Sequence, residues 1–365
     1  VDGTADNDQN LTLNAGTGVV TFAKALGAVK KLGDVVANST GATKFQGAVL
    51  AKSLTTNAGG STELSADVTT TAAQSFGDAL SLKNNIILSG TDITLAQTVN
   101  SDAALTKRTL QVTGSGVTTF GGIVGGTAEL ASLTVDGGGT TLLNAGTVTT
   151  AGAQSYTDAV TLGANTALVT TNSSAGFTGT LNSLASLSAP ATLSITAGTG
   201  NITLGGIVGG ATNGALGAVT LVSATNVGIN AAFTAASLTQ QAGSGTTTIG
   251  GATTLTGALG FTGGNLVINA AVGAGGTVSF TGSALTVNAA VTAGGAVTVA
   301  NTGTFTTSAT GDITAAGAFT QSGAGANSLA GNVSLTLDSA ALSFATAVTL
   351  TGNVVFSTTN GAATF

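Results

Sequence analysis

The side chains that most often do chemistry are scarce in this chain, and the few present are mainly carboxylates. The 365 residues include no histidine and no cysteine, whereas 14 are Asp or Glu. Without imidazoles or thiols, the sequence excludes Ser-His-Asp and Cys-His catalysis and the usual zinc sites. Paired carboxylates, as in glycoside hydrolysis, are the catalytic chemistry left to test.

Two groups of acidic residues are close enough in the sequence for calcium binding to be tested as a hypothesis. Asp2, Asp6 and Asp8 form the first group, and Glu63 and Asp67 form the second. The first group lacks the glycine and the closing glutamate of an EF-hand loop, and the chain has no glycine-rich calcium nonapeptide. Gly-x-Gly triplets recur, but none completes a nucleotide-binding fingerprint. The sequence therefore predicts no metal site and no cofactor site.

Internal repeats indicate which elements position these residues. Several segments return at a long interval, and one returns at a much shorter interval. The long echoes are GGIVGG at 121 and 205, AQS at 73 and 153, and LTQ at 238 with FTQ at 319. The short echo relates Leu266–Val272 (LVINAAV) to Leu285–Val291 (LTVNAAV). We predict coils of about 20 residues, grouped by fours into a super-repeat of about 80 residues.

A unit of this length with two or three short strands and Gly or Asn corners is typical of one coil of a parallel β-helix. We predict an all-β fold, a single continuous β-solenoid over residues 1–365, with roughly 18 coils stacked about 4.8 Å apart. An array of immunoglobulin-type sandwiches of about 80 residues is the alternative fold, but the short echo and the lack of Trp and Cys disfavour it.

Three asparagines stand at equivalent corners of the predicted coils. Asn269 and Asn288 lie at matching positions of the short echo, and Asn230 precedes Asn269 by about two coils. Stacked asparagines can form an amide ladder. They can equally serve as turn formers. We predict these three residues as structural corner or ladder positions and leave the choice between the two roles open.

The coil length also tests the paired carboxylates. Asp78 and Asp158 occupy matching positions of the long echo, so we expect them about four coils, or roughly 19 Å, from each other. Glycosidase carboxylates lie about 5 to 9.5 Å apart. The densest mixed cluster is Asp92, Asp102, Lys107 and Arg108, which we interpret as a solvated turn. We therefore predict no catalytic residue and no enzyme activity.

Charge is sparse and lies toward the start of the chain. Charged residues make up 6%, the net charge is −6, and all 8 basic residues precede position 109. We distinguish a charge-bearing part, residues 1–108, from a nearly uncharged part, residues 109–365. The negative balance disfavours nucleic acid as a partner. No run of about 18 apolar residues occurs, so no membrane-spanning helix is predicted.

Several runs resemble the β-strand repeats of filamentous-haemagglutinin-like and autotransporter-type bacterial surface proteins. They are LTLNAGTG at 11–18, SLTTNAGG at 53–60, VTTAGAQSY at 148–156 and DAVTLG at 158–163. The likeness covers most of the chain, most clearly residues 11 to 170. It implies a right-handed β-helix, export across the outer membrane, and a role in adhesion, biofilm or surface filaments. The family has no catalytic motif to carry over, and its secretion-targeting domain is not recognisable in this sequence.

We therefore interpret the chain as a non-enzymatic extracellular structural protein, a stalk or filament subunit of a bacterial cell surface. The sequence lacks Met and a signal peptide, which indicates a mature or internal fragment of a longer repeat protein. We recognise no cap at either end and expect the chain either to continue into more repeats or to stack end to end with another copy. The alternative is an adhesin that binds surface glycans through its side face, although Tyr156 and scattered Phe residues are the only aromatic candidates.

Overall fold

A computed structural model describes residues Val1 to Phe365, and its regular elements are all β-strands. The chain divides into two compact units, Val1–Gly179 and Thr180–Phe365. Pairs between strands are parallel and join successive coils. Leu64 pairs with Leu82 in the first unit, and Leu193 pairs with Val219 in the second. The prediction of an all-β solenoid with coils of about 20 residues is thus confirmed.

The first unit is built only of short strands joined by tight corners. They are β1 (Leu11–Gly16), β2 (Val20–Phe22), β3 (Leu32–Ser39), β4 (Ala42–Phe45), β5 (Val49–Thr56), β6 (Ser61–Leu64), β7 (Val68–Thr70), β8 (Gln74–Phe76), β9 (Ala79–Leu82), β10 (Ile86–Gly90), β11 (Ile93–Leu95), β12 (Val99–Ser101), β13 (Thr109–Gly114), β14 (Val117–Phe120), β15 (Ser132–Asp136), β16 (Thr140–Leu143), β17 (Thr147–Thr150), β18 (Gln154–Tyr156), β19 (Ala159–Leu162), β20 (Thr166–Thr170) and β21 (Ala175–Phe177).

The second unit continues the same pattern of strands and corners. Its strands are β22 (Leu181–Ser183), β23 (Leu193–Thr196), β24 (Ile202–Leu204), β25 (Leu216–Ser223), β26 (Val227–Ile229), β27 (Phe233–Gln240), β28 (Thr246–Ile249), β29 (Thr253–Leu255), β30 (Leu259–Gly263), β31 (Asn265–Ile268), β32 (Val272–Ala274), β33 (Val278–Gly282), β34 (Leu285–Val287), β35 (Val291–Ala293), β36 (Val297–Asn301), β37 (Phe305–Thr307), β38 (Ile313–Ala315), β39 (Phe319–Gln321), β40 (Asn327–Leu329), β41 (Val333–Asp338), β42 (Leu342–Phe344), β43 (Val348–Leu350), β44 (Phe356–Thr359) and β45 (Ala363–Thr364).

Equivalent strands of successive coils form three faces in the first unit. The β8 face contains β1, β3, β5, β8, β11, β14, β16 and β19. The β10 face contains β7, β10, β13, β15, β18 and β21. The β9 face contains β2, β4, β6, β9, β12, β17 and β20, with Val124 as the bridge between β12 and β17. The longer strands β3 and β5 bend across a corner and contribute to two faces.

The second unit has three corresponding faces. The β31 face contains β24, β26, β28, β31, β34, β37, β40 and β43. The β32 face contains the first half of β27 with β29, β32, β35, β38, β41 and β44. The β33 face contains β23, β25, the second half of β27, β30, β33, β36, β39, β42 and β45.

Alternation of apolar and small polar residues decides which side chains enter the core. In β34, Leu285 and Val287 are buried, whereas Thr286 between them is half-buried and faces outward. Successive side chains of a strand point to opposite faces, so a strand of three places two apolar groups inside. Aromatic rings then stack from coil to coil, as in Phe261 and Phe280, whose centroids are 5.2 Å apart. The core of each unit is this column of stacked apolar side chains.

The two copies of the AQS echo in the first unit, which contain Gln74 and Gln154, form similar corners. They are not separated by a whole number of coils. Gln74 lies on the β8 face, but its echo Gln154 lies on the β10 face. Both side chains nevertheless donate to the same kinds of acceptor: a valine carbonyl and a threonine hydroxyl on the preceding strand, and a carbonyl of the next coil. The phase differs because some intervening coils are long. The coil that separates Ile93 from its partner Thr118, for example, is longer than the one that separates Leu64 from Leu82.

In the second unit the echo does follow the coils. Gln240 and Gln321 both lie on the β33 face, and the register leads from one to the other through Phe261, Phe280 and Val299. These two glutamines are therefore four coils apart. The predicted grouping by fours is correct for this pair and wrong for Gln74 and Gln154.

Candidate functional site

Two irregular loops of the first unit, residues 102–108 and 125–131, lie side by side and together carry four charged side chains. We call them the charged loop pair. Asn100, on the strand that leads into the first loop, holds the second loop in place. Its Oδ1 accepts hydrogen bonds from the backbone N–H groups of Thr127 at 3.0 Å and Ala128 at 3.3 Å. One amide side chain thus fixes a loop that belongs to the next coil.

Ser101 and two ion pairs complete the contacts of the charged loop pair. Ser101 Oγ accepts the backbone N–H of Arg108 at 2.9 Å and donates to the Glu129 carbonyl at 2.8 Å. Arg108 Nε donates to Asp102 Oδ1 at 2.9 Å, and Lys107 Nζ lies 2.7 Å from Glu129 Oε1. The hydrogen bond from Arg108 lowers the pKa of the Asp102 carboxyl below its ordinary value. All four charges are therefore paired within the loop pair.

The first loop of this pair ends in a tight hairpin. Ala103 and Thr106 form an antiparallel bridge, and the Thr106 N–H donates to the Ala103 carbonyl at 3.2 Å. Leu105 stands at the tip with 98% of its surface exposed. Because hydrogen bonds and ion pairs hold the base of the hairpin, Leu105 is presented on a preorganised support.

The second unit contains the same arrangement with different side chains at the surface. Its loops, residues 184–191 and 209–217, are called here the uncharged loop pair. Asn182 Oδ1 accepts a backbone N–H of the second loop at 3.0 Å, and Ser183 Oγ accepts a backbone N–H of the first loop at 2.8 Å. These bonds correspond to those of Asn100 and Ser101. The two loop pairs are two versions of one structural device.

The uncharged loop pair encloses an open cavity of about 350 Å³. Its lining includes Leu184, Ala185, Leu187, Pro190, Asn213 and Ala215. The lining carries no charge, since no charged residue occurs between Asp158 and Asp312. An apolar group can therefore enter this cavity without removing a charged side chain from water.

A third version lies at the start of the first unit, where Asp2 takes the place of Asn100. Asp2 Oδ1 accepts the backbone N–H of Val29 at 2.8 Å. Asp6 Oδ1 accepts the backbone N–H of Lys31 at 2.9 Å. Asp2 and Asp6 thus receive backbone hydrogen bonds, whereas Asp8 Oδ2 accepts a hydrogen bond from Gln9 Nε2 at 2.6 Å. No group of three or more acidic side chains in the chain is placed to hold a metal ion.

The same segment covers the start of β3 in the second coil. Besides the two Asp contacts, the Gly33 N–H donates to the Gln9 carbonyl and the Asp34 N–H donates to Asn10 Oδ1, both at 2.7 Å. Residues 2–10 therefore satisfy the N–H groups along the outer edge at the start of β3. The strands β1 and β2 of the first coil pair on one side only, with β3 and β4, so residues 2–10 cover the start of β3 and do not cap the first coil.

A left-handed glycine allows each loop pair to form. Gly27, Gly125 and Gly209 have φ angles of 70°, 71° and 68°. A Cβ at any of the three would lie 2.0 to 2.1 Å from a carbonyl oxygen of the adjacent coil. Only glycine combines this backbone conformation with so close an approach of two backbones.

Sequence reasoning found parts of these loop pairs without finding the device. The GGIVGG echo contains Gly125 and Gly209, but it was interpreted only as a repeat. The missed signal is an Asn-Ser pair one coil upstream of each copy: Asn100 precedes the GGIVGG at 121, and Asn182 precedes the one at 205. The two spacings are unequal, and the third version has Asp2-Gly3 at this position, so the pattern is hidden.

The predicted corner asparagines are only partly brought together. Asn288 Nδ2 donates to Asn269 Oδ1 at 2.8 Å, so these two form a stacked amide pair. Asn230 lies at the same corner two coils away, but Gly250 occupies the coil between. Similar amide pairs join Asn14 with Asn38 and Asn201 with Asn226. The ladder is therefore made of separate pairs, and Asn230 lies outside the pair formed by Asn269 and Asn288.

Asp78 and Asp158 are buried corner caps at two different corners. Asp78 lies between β8 and β9, whereas Asp158 lies between β18 and β19. They are 2% and 3% exposed. Oδ1 of each accepts a backbone N–H, from Gly60 at 2.7 Å and from Gly138 at 2.9 Å. The expectation that they occupy one corner four coils apart is wrong, since the intervening coils are unequal in length.

The second oxygens of these two carboxylates differ. Asp78 Oδ2 accepts the Thr62 hydroxyl at 3.3 Å, but Asp158 Oδ2 is buried without a hydrogen-bond partner. Burial raises the pKa of the Asp158 carboxyl above its ordinary value, and the nearby Asp136 adds to the effect. The charged form of Asp158 is therefore disfavoured in the folded chain.

We expect Asp158→Asn to raise the free energy of unfolding at about pH 7 and to have less effect near pH 3. The amide keeps an oxygen for the Gly138 N–H and removes a buried charge. Because the folded pKa lies above the unfolded one, the cost of ionising Asp158 is absent at low pH and grows as the pH rises through the folded pKa. Urea unfolding followed by circular dichroism at both pH values measures the difference.

The control for this prediction is Asp78→Asn, which weakens a satisfied hydrogen bond and should not stabilise the chain at either pH. An equal gain from Asp158→Asn at both pH values would contradict the assigned cause.

The remaining acidic residues that the sequence analysis considered as candidate site residues lie apart from one another. Asp67 and Asp92 each accept the backbone N–H of a residue in the next coil, at 2.8 and 2.7 Å. Glu63 lies between two lysines, 3.4 Å from Lys44 and 3.8 Å from Lys83. Asp92 therefore does not join the charged loop pair, and Glu63 and Asp67 make separate contacts.

No protein family, no curated protein and no solved structure matches this chain. The structure contains no helix with the length and hydropathy of a membrane span. The fold and the loop pairs described above define the class of protein, a β-solenoid with paired surface loops. A function has to be argued from how its side chains are used.

Proposed function

We propose that the chain is a non-enzymatic structural protein of a bacterial cell surface, a stalk or filament subunit that associates with other copies of itself. The observation that carries this proposal is the use of corner side chains. Asp67, Asp92 and Asp312 each direct an oxygen at a backbone N–H of an adjacent coil, at 2.7 to 2.8 Å. Side chains engaged in this way strengthen the stack.

Parallel stacking provides the stiffness that a stalk needs. Within each unit, a strand of one coil pairs with its equivalents in the coils before and after, so that successive coils are joined on three faces. Opening one coil would break pairing on both of its sides. Such a stack resists local unfolding and proteolysis, because most backbone N–H and C=O groups are hydrogen-bonded to an adjacent coil.

Self-association is supported by one edge of the second unit. The strands β43, β44 and β45 are each paired on one side only. Leu350, Val355 and Phe365 near this edge are 53%, 61% and 63% exposed. An unpaired strand edge with apolar side chains takes up further strands readily. Further coils of a longer chain or a second copy can supply them, and the proposed filament uses a second copy.

The surface location rests on the resemblance to haemagglutinin-like repeats, and the glycan-binding alternative has less support. Tyr156, its one tyrosine candidate for a sugar platform, is fully buried and stacks on Phe177 with ring centroids 4.8 Å apart. An aromatic side chain in that position cannot lie against a sugar ring.

Sedimentation velocity and negative-stain microscopy test the proposal directly. We expect the mean particle mass to rise as the protein concentration increases toward about 100 µM, with elongated particles in the images. Changing Leu350 and Val355 to Lys should reduce association, because charges at the edge repel a second copy. Val117→Lys, at a side-face position that is 44% exposed, is the matched control and should leave association unchanged. A monomer over the whole concentration range would overturn the proposal.

A further inference from the structure

We propose that the hairpin tip of the charged loop pair is a processing site, at which an endopeptidase with an apolar primary pocket hydrolyses the Leu105–Thr106 peptide bond. Water adds across the amide: a C–O bond forms, the C–N bond breaks, and the Leu105 carbonyl becomes a carboxylate. The Thr106 nitrogen leaves as a new amino terminus and takes up a proton. This inference goes beyond the proposed stalk or filament and does not depend on self-association.

Leu105 is the most exposed large apolar residue of the protein. It is 98% exposed, whereas the next most exposed leucines, Leu337 and Leu350, are 57% and 53% exposed. Residues 103–107 are all exposed, so the chain on both sides of Leu105 is open to solvent. An endopeptidase of the chymotrypsin type holds an apolar side chain in a hydrophobic slot and attacks the carbonyl of that same residue. Both the side chain and the peptide bond of Leu105 are accessible to such an enzyme.

The tip is tied to the rest of the molecule by few hydrogen bonds. Its own contacts are the Ala103–Thr106 bridge and the hydrogen bond from the Thr106 N–H to the Ala103 carbonyl at 3.2 Å. The rate at which a folded chain is cleaved follows the population of its locally opened form. A turn closed by one hydrogen bond opens far more often than a strand that is paired with a neighbouring coil.

The other exposed leucines are held in the stack. The Leu337 N–H donates to the Ala316 carbonyl at 3.0 Å, and Thr351, which follows Leu350, donates its N–H to the Leu329 carbonyl at 2.8 Å. Cleavage after either leucine requires part of a strand to leave the adjacent coil. We therefore expect the Leu105–Thr106 bond to be cut first.

The equivalent loops of the other two versions do not present such a bond. In the uncharged loop pair, Leu187 is half-buried and lines the cavity. In the version at the start of the chain, Val29 is 79% exposed, but its N–H donates to Asp2 Oδ1. The carbonyl of the next residue, Lys30, accepts the Gly3 N–H at 3.1 Å. Of the three versions, only the charged loop pair combines an outward apolar side chain with a tip that makes no hydrogen bond to a neighbouring coil.

The basic residues beside the tip are less available than the leucine. Lys107 Nζ lies 2.7 Å from Glu129 Oε1, and Arg108 Nε donates to Asp102 Oδ1 at 2.9 Å. A protease of the trypsin type binds a basic side chain with a carboxylate in its primary pocket. Both basic side chains already contact carboxylates of this chain. The site therefore favours an enzyme with an apolar pocket over one with an acidic pocket.

Cleavage at the tip does not open the stack. Strand β12, before the tip, stays paired with β9, and β13, after the tip, stays paired with β10 of the first fragment. At the base of the hairpin, the ion pair of Arg108 with Asp102 and the hydrogen bond from the Arg108 N–H to Ser101 Oγ join the two pieces across the cut. Fragments 1–105 and 106–365 therefore remain one particle, with a new carboxylate and a new ammonium group at its surface.

Brief digestion of the native chain with chymotrypsin, followed by mass spectrometry of the products, tests this inference. We expect the first cut after Leu105, at a rate at least about tenfold above that at any other bond, because the tip opens when one hydrogen bond breaks. Trypsin should cut the tip more slowly, when each rate is divided by that of the same enzyme on the urea-unfolded chain. Size-exclusion chromatography without denaturant should give one peak at the position of the parent, while a denaturing gel resolves fragments 1–105 and 106–365.

Leu105→Asn removes the apolar side chain and should slow cleavage of the tip by chymotrypsin at least about tenfold, with an unchanged circular dichroism spectrum. Leu337→Asn, at another exposed leucine, is the matched control and should leave that rate unchanged. A first cut elsewhere in the parent chain would overturn the site. Fast cleavage of the tip in the Leu105 variant, or faster normalised cleavage by trypsin, would overturn the apolar specificity. Fragments that separate without denaturant would contradict the retained assembly. None of these results bears on the filament, which sedimentation tests.

Discussion

Gly125→Ala is expected to lower the free energy of unfolding by roughly 3 to 5 kcal/mol, a large effect for the addition of one methyl group. Gly125 has a φ of 71°, and an added Cβ would lie 2.1 Å from the carbonyl oxygen of Thr149. The left-handed conformation alone costs about 1 to 2 kcal/mol in an L-residue. The remainder arises because the two coils must move apart, which weakens the hydrogen bond from the Thr149 N–H to the Val124 carbonyl.

Urea unfolding of the full chain measures the loss, and hydrogen exchange along β17 shows whether it is local. Gly146→Ala is the matched control. Gly146 has a similar φ of 67°, but the nearest atom to an added Cβ is 4.0 Å away. This variant should lose only the conformational cost of about 1 to 2 kcal/mol. Equal losses in the two variants would show that the approach of the two backbones at Gly125 is not a constraint.

The fold class could be predicted from the sequence because it depends on local patterns. The short echo relates Leu266–Val272 to Leu285–Val291, and the structure pairs Leu266 directly with Leu285. Here the coils have equal length, so an echo in the sequence is also a contact in space. Alternation within a short strand fixes which side chains enter the core.

The phase of the longer echo could not be predicted, since it depends on the lengths of all the coils between its two copies. Gln74 and Gln154 repeat a corner and its hydrogen bonds, yet they lie on different faces. A sequence comparison detects the corner, but it does not count the residues that loops add to a coil. The same limit applied to Asp78 and Asp158.

The paired loops escaped prediction for a related reason. Their defining contacts join residues in different coils, such as Asn100 with Thr127 and Asn182 with Ala211. The residues at the surface of the loops differ between the pairs, so only the supports repeat. In the sequence, Asp102, Lys107 and Arg108, which flank Leu105, are interpreted as part of a solvated turn. Neither the exposure of Leu105 nor the fixed shape of its hairpin is visible in the sequence.

Gln321→Leu is expected to lower the free energy of unfolding by roughly 3 to 5 kcal/mol, because it leaves several buried polar groups without partners at about 1 to 3 kcal/mol each. Gln321 is 1% exposed. Its Nε2 donates to Asn301 Oδ1 at 2.8 Å and to the Gly323 carbonyl at 2.6 Å, and its Oε1 accepts the Ala345 N–H at 3.0 Å. The substitution conserves the approximate size of the side chain. It removes these three hydrogen bonds and two longer ones to Oε1, from Asn327 Nδ2 and the Thr346 hydroxyl, both at 3.4 Å.

Thr320→Ala is the matched control, since Thr320 is the outward-facing neighbour on the same strand. A surface change of this kind should stay within about 0.5 kcal/mol of the parent chain. Urea unfolding gives the free energies, and hydrogen exchange in β36 and β39 should rise only in the Gln321 variant. Unchanged stability in that variant would mean that the stacking of Phe319 on Phe305 and Phe344 holds these coils without the amide. The buried amides would then have no part in holding one coil on the next.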